Sequence, residues 1–142
     1  MTGRLTLSWA NKDKALLSLG ESGYVWVERD DPRVREVRLM DEVGRVGDAA
    51  GSPSDNLLIR GDSLDALRAL VRTPEYAEQY RGRVKLVYID PPFNTGATRV
   101  SHAGAFADEW ATIDDYLAWM RARLIATVPA VRATGSVLVH VD

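Results

Sequence analysis

The residues with the clearest chemical potential are Asp90-Pro91-Pro92-Phe93, which close an apolar run from Val84 to Ile89. Neither proline has an N–H to donate, and each fixes its own φ, so the chain leaves the run as a stiff corner. The Asp90 carboxylate and the Pro91 carbonyl can then face one point as acceptors, with the flat ring of Phe93 beside it. Two acceptors and an aromatic plane suit a planar ring that carries an exocyclic amino group. The lone pair of such a nitrogen is delocalised into its ring, which makes it a poor nucleophile. Accepting both of its hydrogens draws the nitrogen toward tetrahedral geometry and frees the lone pair for attack. Groups placed in advance for the transition state are the general source of such catalysis. Asn94-Thr95-Gly96 follow at once, and read either as a substrate-facing loop or as a plain turn.

Other polar residues have competing readings. Asp62, after Gly61, is either the N-cap of a following helix or a contact to cofactor or to the active-site edge. His140 alternates with valines in Val137 to Val141 and reads as a satisfied core residue, while His102 reads as solvent-exposed. Trp110, Tyr116 and Trp119 read as packing residues rather than a base-stacking platform. With no cysteine and two histidines, no metal site is expected.

The elements that must position these groups fall into two stretches, a leader over 1–54 and a catalytic-type stretch over 55–142. In the first, Arg4 to Trp9 and Tyr24 to Val27 predict short strands, with a turn at Gly20 and Gly23. Glu28 to Asp48 is densely charged and predicts a solvated, partly extended surface; Ala49 to Asp55 is a connector of small residues. In the second, Leu57-Leu58-Ile59 predicts a strand, and Leu64, Leu67, Leu70 and Val71 predict a helix that Thr73-Pro74 interrupts. Val84 to Ile89 is nearly all β-branched, aromatic or leucine, as a parallel strand covered on both faces should be. A long polar loop is expected from Asn94 to Ala111. Thr112 and Asp115 then open a helix whose apolar face is Leu117, Met120, Leu124, Val128 and Val131, in conflict with Pro129. Gly135 is the expected stop of that helix, and Val137 to Val141 the third strand. The order β-α-β-α-β makes an open α/β sheet, in which ligands bind beyond the carboxyl ends of the strands.

Composition limits the partners. Lys and Arg total 18 against 20 Asp and Glu, a net charge of −2, so no global positive field draws the chain to nucleic acid. No run approaches the roughly 18 apolar residues of a membrane span. A cysteine-free chain without a signal pattern fits a cytoplasmic location.

Val84 to Gly96 (VKLVYIDPPFNTG) resembles the strand and acidic-Pro-Pro-aromatic motif of DNA methyltransferases that act on adenine N6 or cytosine N4. Asp55 to Leu67 (DNLLIRGDSLDAL), Asp115 to Leu124 (DYLAWMRARL) and Gly135 to Asp142 (GSVLVHVD) resemble its neighbours, in order, in the subgroup that includes type III restriction-modification methyltransferase subunits. The resemblance implies a partial Rossmann-like methyltransferase sheet, mainly parallel, with an irregular N-terminal β/loop segment. It also implies methyl transfer from S-adenosylmethionine to a base flipped out of double-stranded DNA. In that setting Asp90 and the Pro91 carbonyl hold the amino group and Phe93, more often tyrosine in the family, stacks on the base. Asp at the first motif position favours adenine. A restriction or modification subunit, or a second copy, is an expected partner. The family's Phe-x-Gly-x-Gly cofactor loop does not occur in these residues. The expectation is therefore an N-terminal fragment that is inactive alone, the alternative being a non-catalytic remnant or interaction module of a restriction-modification or phage system.

Overall fold

In a computed structural model of the chain, residues 6–47, 56–101 and 104–141 are described, with the backbone alone at Glu21, 97–101 and 104–107. Arg4 and Leu5 of the first expected strand, the whole connector Ala49 to Asp55, and His102 lie outside the described residues. The chain forms two compact units, and each draws on separate stretches of the sequence. One comprises 1–36, 90–122 and 139–142, the other 37–89 and 123–138.

The first unit opens with a hairpin of β1 (Ala15–Ser18) and β2 (Tyr24–Val27), paired antiparallel with Ser18 opposite Tyr24. A 3₁₀ turn, Gly20–Ser22, joins them, and Gly20 and Gly23 take positive φ there as the turn requires. The first strand therefore lies beyond Arg4 to Trp9, whose described part is irregular. Ala15 to Leu17 have an antiparallel partner within reach of a short turn, whereas residues 6–9 pair with no strand among the described residues. A single 3₁₀ turn, Pro32–Arg35, interrupts an otherwise irregular charged segment, as its solvated composition predicts.

The second unit contains α1 (Ser63–Arg72) and β3 (Val84–Ile89), each where the sequence predicts it, and a second helix, α2 (Pro74–Tyr80), directly after the break at Thr73. Pro74 sits at the first position of α2, where its missing N–H costs nothing. Leu57-Leu58-Ile59 forms no strand, and Leu58 is 97% exposed. A strand exists through its ladder, and among the described residues β3 pairs only with β6 (Val131–Val139), in a parallel two-stranded sheet. Leu86, Tyr88 and Leu138 on these strands are exposed, contrary to the expectation of cover on both faces.

Between β3 and β6 the chain makes an antiparallel hairpin, β4 (Ala97–Ser101) and β5 (Gly104–Asp108), where a long irregular loop was expected. Then comes α3 (Ile113–Thr127). The capping box forms: the Thr112 amide donates to Asp115 Oδ2 at 3.1 Å and the Asp115 amide to Thr112 Oγ1 at 3.1 Å. Asp115 also accepts from Trp26 Nε1 at 2.9 Å, which ties β2 to the helix start within the first unit. The helix stops at Thr127, before Pro129, so the proline conflict disappears and Gly135 falls inside β6 instead of ending the helix. The Pro129 and Ala130 carbonyls accept from the Gly82 and Val84 amides at 2.9 and 3.0 Å, so the turn after α3 starts the pairing with β3. Val128, placed on the apolar face by periodicity, is 66% exposed because it lies past the helix end.

Candidate functional site

The stiff corner after β3 puts Asp90 outside and its neighbours inside. The Asp90 side chain is 61% exposed, while Pro91 is buried and Pro92, Phe93 and Asn94 are half-buried. Two consecutive prolines give the chain one direction, so a rooted Pro91 fixes where Asp90 leaves the strand. His140 stands at the end of β6, directly after Val139. Its Nδ1 lies 3.0 Å from Asp90 Oδ1, and its ring meets the Phe93 ring edge-on, centroids 5.3 Å apart at 81°. The site thus collects an exposed carboxylate, a half-exposed imidazole and an aromatic ring.

His140 is not the satisfied core residue that its alternation with valines predicts. The last strand residue is Val139, and the imidazole is 55% exposed. Alternation reads the same whether the final residue lies within the ladder or one step past it, so the sequence held no signal for this placement.

Asn94, Thr95 and Gly96 form a tight loop held by Asp108, a residue that sequence reasoning missed. The Asp108 carboxylate, 1% exposed, accepts from the Asn94 amide at 2.7 Å, the Thr95 amide at 3.3 Å and Thr95 Oγ1 at 2.7 Å. These donors favour the charged form, the Thr95 hydroxyl most, and hold the carboxyl below its ordinary value against the opposing effect of burial. Asn94 takes φ 58, a left-handed conformation that asparagine tolerates, and its Oδ1 accepts from the Trp110 amide at 3.3 Å. Trp110, Tyr116 and Trp119 pack on one another, with Trp110 centroids 5.1 Å from each of the other two, as the packing reading predicts.

Asp62 belongs to the other unit and its carboxylate is engaged. Oδ1 caps α1 through the Leu64 amide at 2.7 Å, and both oxygens accept from Arg123 Nη2 at 2.9 and 2.7 Å. Arg123 is 8% exposed at its side chain and also donates from Nε to Ser63 Oγ at 2.9 Å. A buried guanidinium needs such partners, so this carboxylate has a structural task. Beside the open, positive-φ Gly61, the Asp62 carboxylate is thus already held by Arg123 and by the helix it caps. Among the described residues no cluster of acids and histidines could hold a metal ion.

The chain is 35% identical, over 105 residues and 74% of its length, to the "Probable type III restriction-modification enzyme HindVI Mod subunit" of Haemophilus influenzae. Over 43 residues it is 51% identical to the type III restriction-modification enzyme EcoP15I Mod subunit of Escherichia coli, and equally to the EcoPI Mod subunit of Escherichia phage P1. The relatives of this chain are type III restriction-modification Mod subunits. It spans about 12% of the HindVI Mod subunit and 6% of the other two. No protein-family model matches the chain, and no solved structure matches it.

Proposed function

We propose that this Mod-related chain supplies the amino-group-binding corner of a DNA methyltransferase, with adenine N6 the preferred target and S-adenosylmethionine the methyl donor. The observation that carries this reading is the exposed Asp90 carboxylate at a double-proline corner, with the Phe93 ring next to it. An acceptor beside a stacking surface suits a flipped base better than it suits a small aliphatic substrate. The carboxylate takes a hydrogen of the amino group, and Phe93 offers its ring to the base. Parallel β3 and β6, with α3 between them in the chain, support a Rossmann-like sheet, and in the chain Asp90 directly follows β3 and His140 directly follows β6. Duplex DNA is the substrate, a restriction subunit the expected partner, and the cytoplasm the expected location. No described helix is long and apolar enough to cross a membrane.

The test is to express the gene carrying this chain in a methylation-free host and to count N6-methyladenine and N4-methylcytosine in its DNA. The wild type is expected to yield N6-methyladenine, and Asp90→Ala none. Phe93→Tyr is expected to keep the activity, while Phe93→Ala loses about 10- to 100-fold, the value of stacking one base on an aromatic ring. Methylation that survives Asp90→Ala removes the reading. A folded wild type that leaves no methylated base favours the non-catalytic interaction module.

A further inference from the structure

His140 lies outside the acidic-Pro-Pro-aromatic motif, yet it touches two of its residues, Asp90 and Phe93. Its Nδ1 is 3.0 Å from Asp90 Oδ1, inside hydrogen-bond range, and its ring meets the edge of Phe93. An ionised carboxylate only accepts, so the imidazole nitrogen facing it must be the donor. That assigns the proton of the neutral ring to Nδ1. A carboxylate turns readily about its last torsion, whose wells are broad. A donor on one oxygen removes that freedom and leaves Oδ2, which has no partner among the described residues, as the acceptor for an incoming group. The edge-on contact with Phe93 is one of the preferred aromatic geometries, and it restrains the second recognition surface at the same time.

We infer that His140 is a positioning residue: by donating from Nδ1 to Asp90 Oδ1 and bracing Phe93, it sets the carboxylate so that Oδ2 meets the amino group of the base. This rests on the methyltransferase reading. It gives a task to the residue that directly follows β6, and it accounts for an exposed histidine after the apolar run Val137-Leu138-Val139.

Three substitutions separate donor from ring. His140→Asn keeps an N–H at the Nδ1 position, His140→Gln moves it to the Nε2 position, and His140→Phe keeps a ring without a donor. The measurement is single-turnover methyl transfer by the protein expressed from the gene carrying this chain, together with its affinity for DNA. His140→Phe and His140→Gln are expected to slow transfer by about 10- to 100-fold, the scale of a misplaced reacting group, with DNA affinity unchanged. His140→Asn is expected to recover most of the rate. Unchanged rates in His140→Phe, or equal losses in His140→Asn and His140→Phe, overturn the inference.

A second readout is independent of activity. The ¹⁵N shifts of the His140 ring are expected to report the Nδ1–H tautomer, and Asp90→Ala to shift the ring toward Nε2–H. An Nε2–H tautomer in the wild type overturns the pairing. A wild type that holds the Nδ1–H tautomer but transfers no methyl group brings down the methyltransferase reading, and with it the positioning role, while leaving the hydrogen bond standing.

Discussion

Asp108 shows how one buried charge can organise a functional loop. Its carboxylate gathers the Asn94 and Thr95 amides and the Thr95 hydroxyl, and so fixes the chain directly after Phe93. Those bonds are stronger to the ionised form than to the protonated one. The folded-state value therefore lies below the ordinary 3.8. The resulting stabilisation is fully present above the unfolded value and is lost as pH falls through the lower, folded one. The amide resonances of Asn94 and Thr95 are expected to hold still from neutrality down to about pH 4 and to move below it. In Asp108→Ala they should already be displaced at pH 7; wild-type resonances that drift between pH 7 and 5 would contradict this anchor. The motif itself was readable in the sequence because two prolines between an acid and an aromatic ring have few uses in plain packing. Asp108 was not, because its partners lie 13 and 14 residues earlier and no local pattern links them.

Elements whose hydrogen bonds are local were readable, and elements that need a distant partner were not. Residues within a few positions decide α1, α2 and the capped start of α3: Asp62 for one, Pro74 for another, Thr112 with Asp115 for the third. The run Leu57 to Ile59 has strand composition, yet no ladder reaches it. The hairpin β4–β5 escaped notice for the opposite reason: Gly104-Ala105-Phe106-Ala107-Asp108 lacks β-branched residues, and its pairing with Ala97–Ser101 supplies the order. Gly135 was read as a helix stop, but its requirement is space inside β6. A Cβ there would sit 2.6 Å from Val131 Cγ1 and 2.9 Å from the Val84 carbonyl oxygen. The valine can turn aside, but the carbonyl belongs to the backbone of β3. Gly135→Ala is expected to destabilise the protein by about 1–3 kcal/mol, the usual cost of overpacking, read as a lower urea midpoint at unchanged slope. A midpoint equal to that of the wild type would mean that β6 does not approach β3 this closely.

At the scale of the molecule, charge and apolar exposure point in different directions. Eighteen basic against 20 acidic residues give no net attraction to phosphates, so any affinity for DNA must come from local contacts or from other parts of a longer protein. The apolar surface is less even-handed. Leu86 and Tyr88, two residues apart on β3 and hence on one face, are 54% and 63% exposed, and Leu138 on β6 is 52% exposed. A parallel pair of strands is ordinarily covered, and apolar side chains left on one face seek cover from whatever meets them first. For the 142-residue chain in isolation that is another copy of itself. Sedimentation should then show a mass above the monomer's 15.7 kDa that grows with concentration. Because Leu86 and Tyr88 already face solvent, Leu86→Lys with Tyr88→Lys should cost little stability and return the chain to a monomer. The wild type sedimenting as a monomer across the micromolar range, or the double variant associating as strongly as the wild type, would show that this face is not the contact.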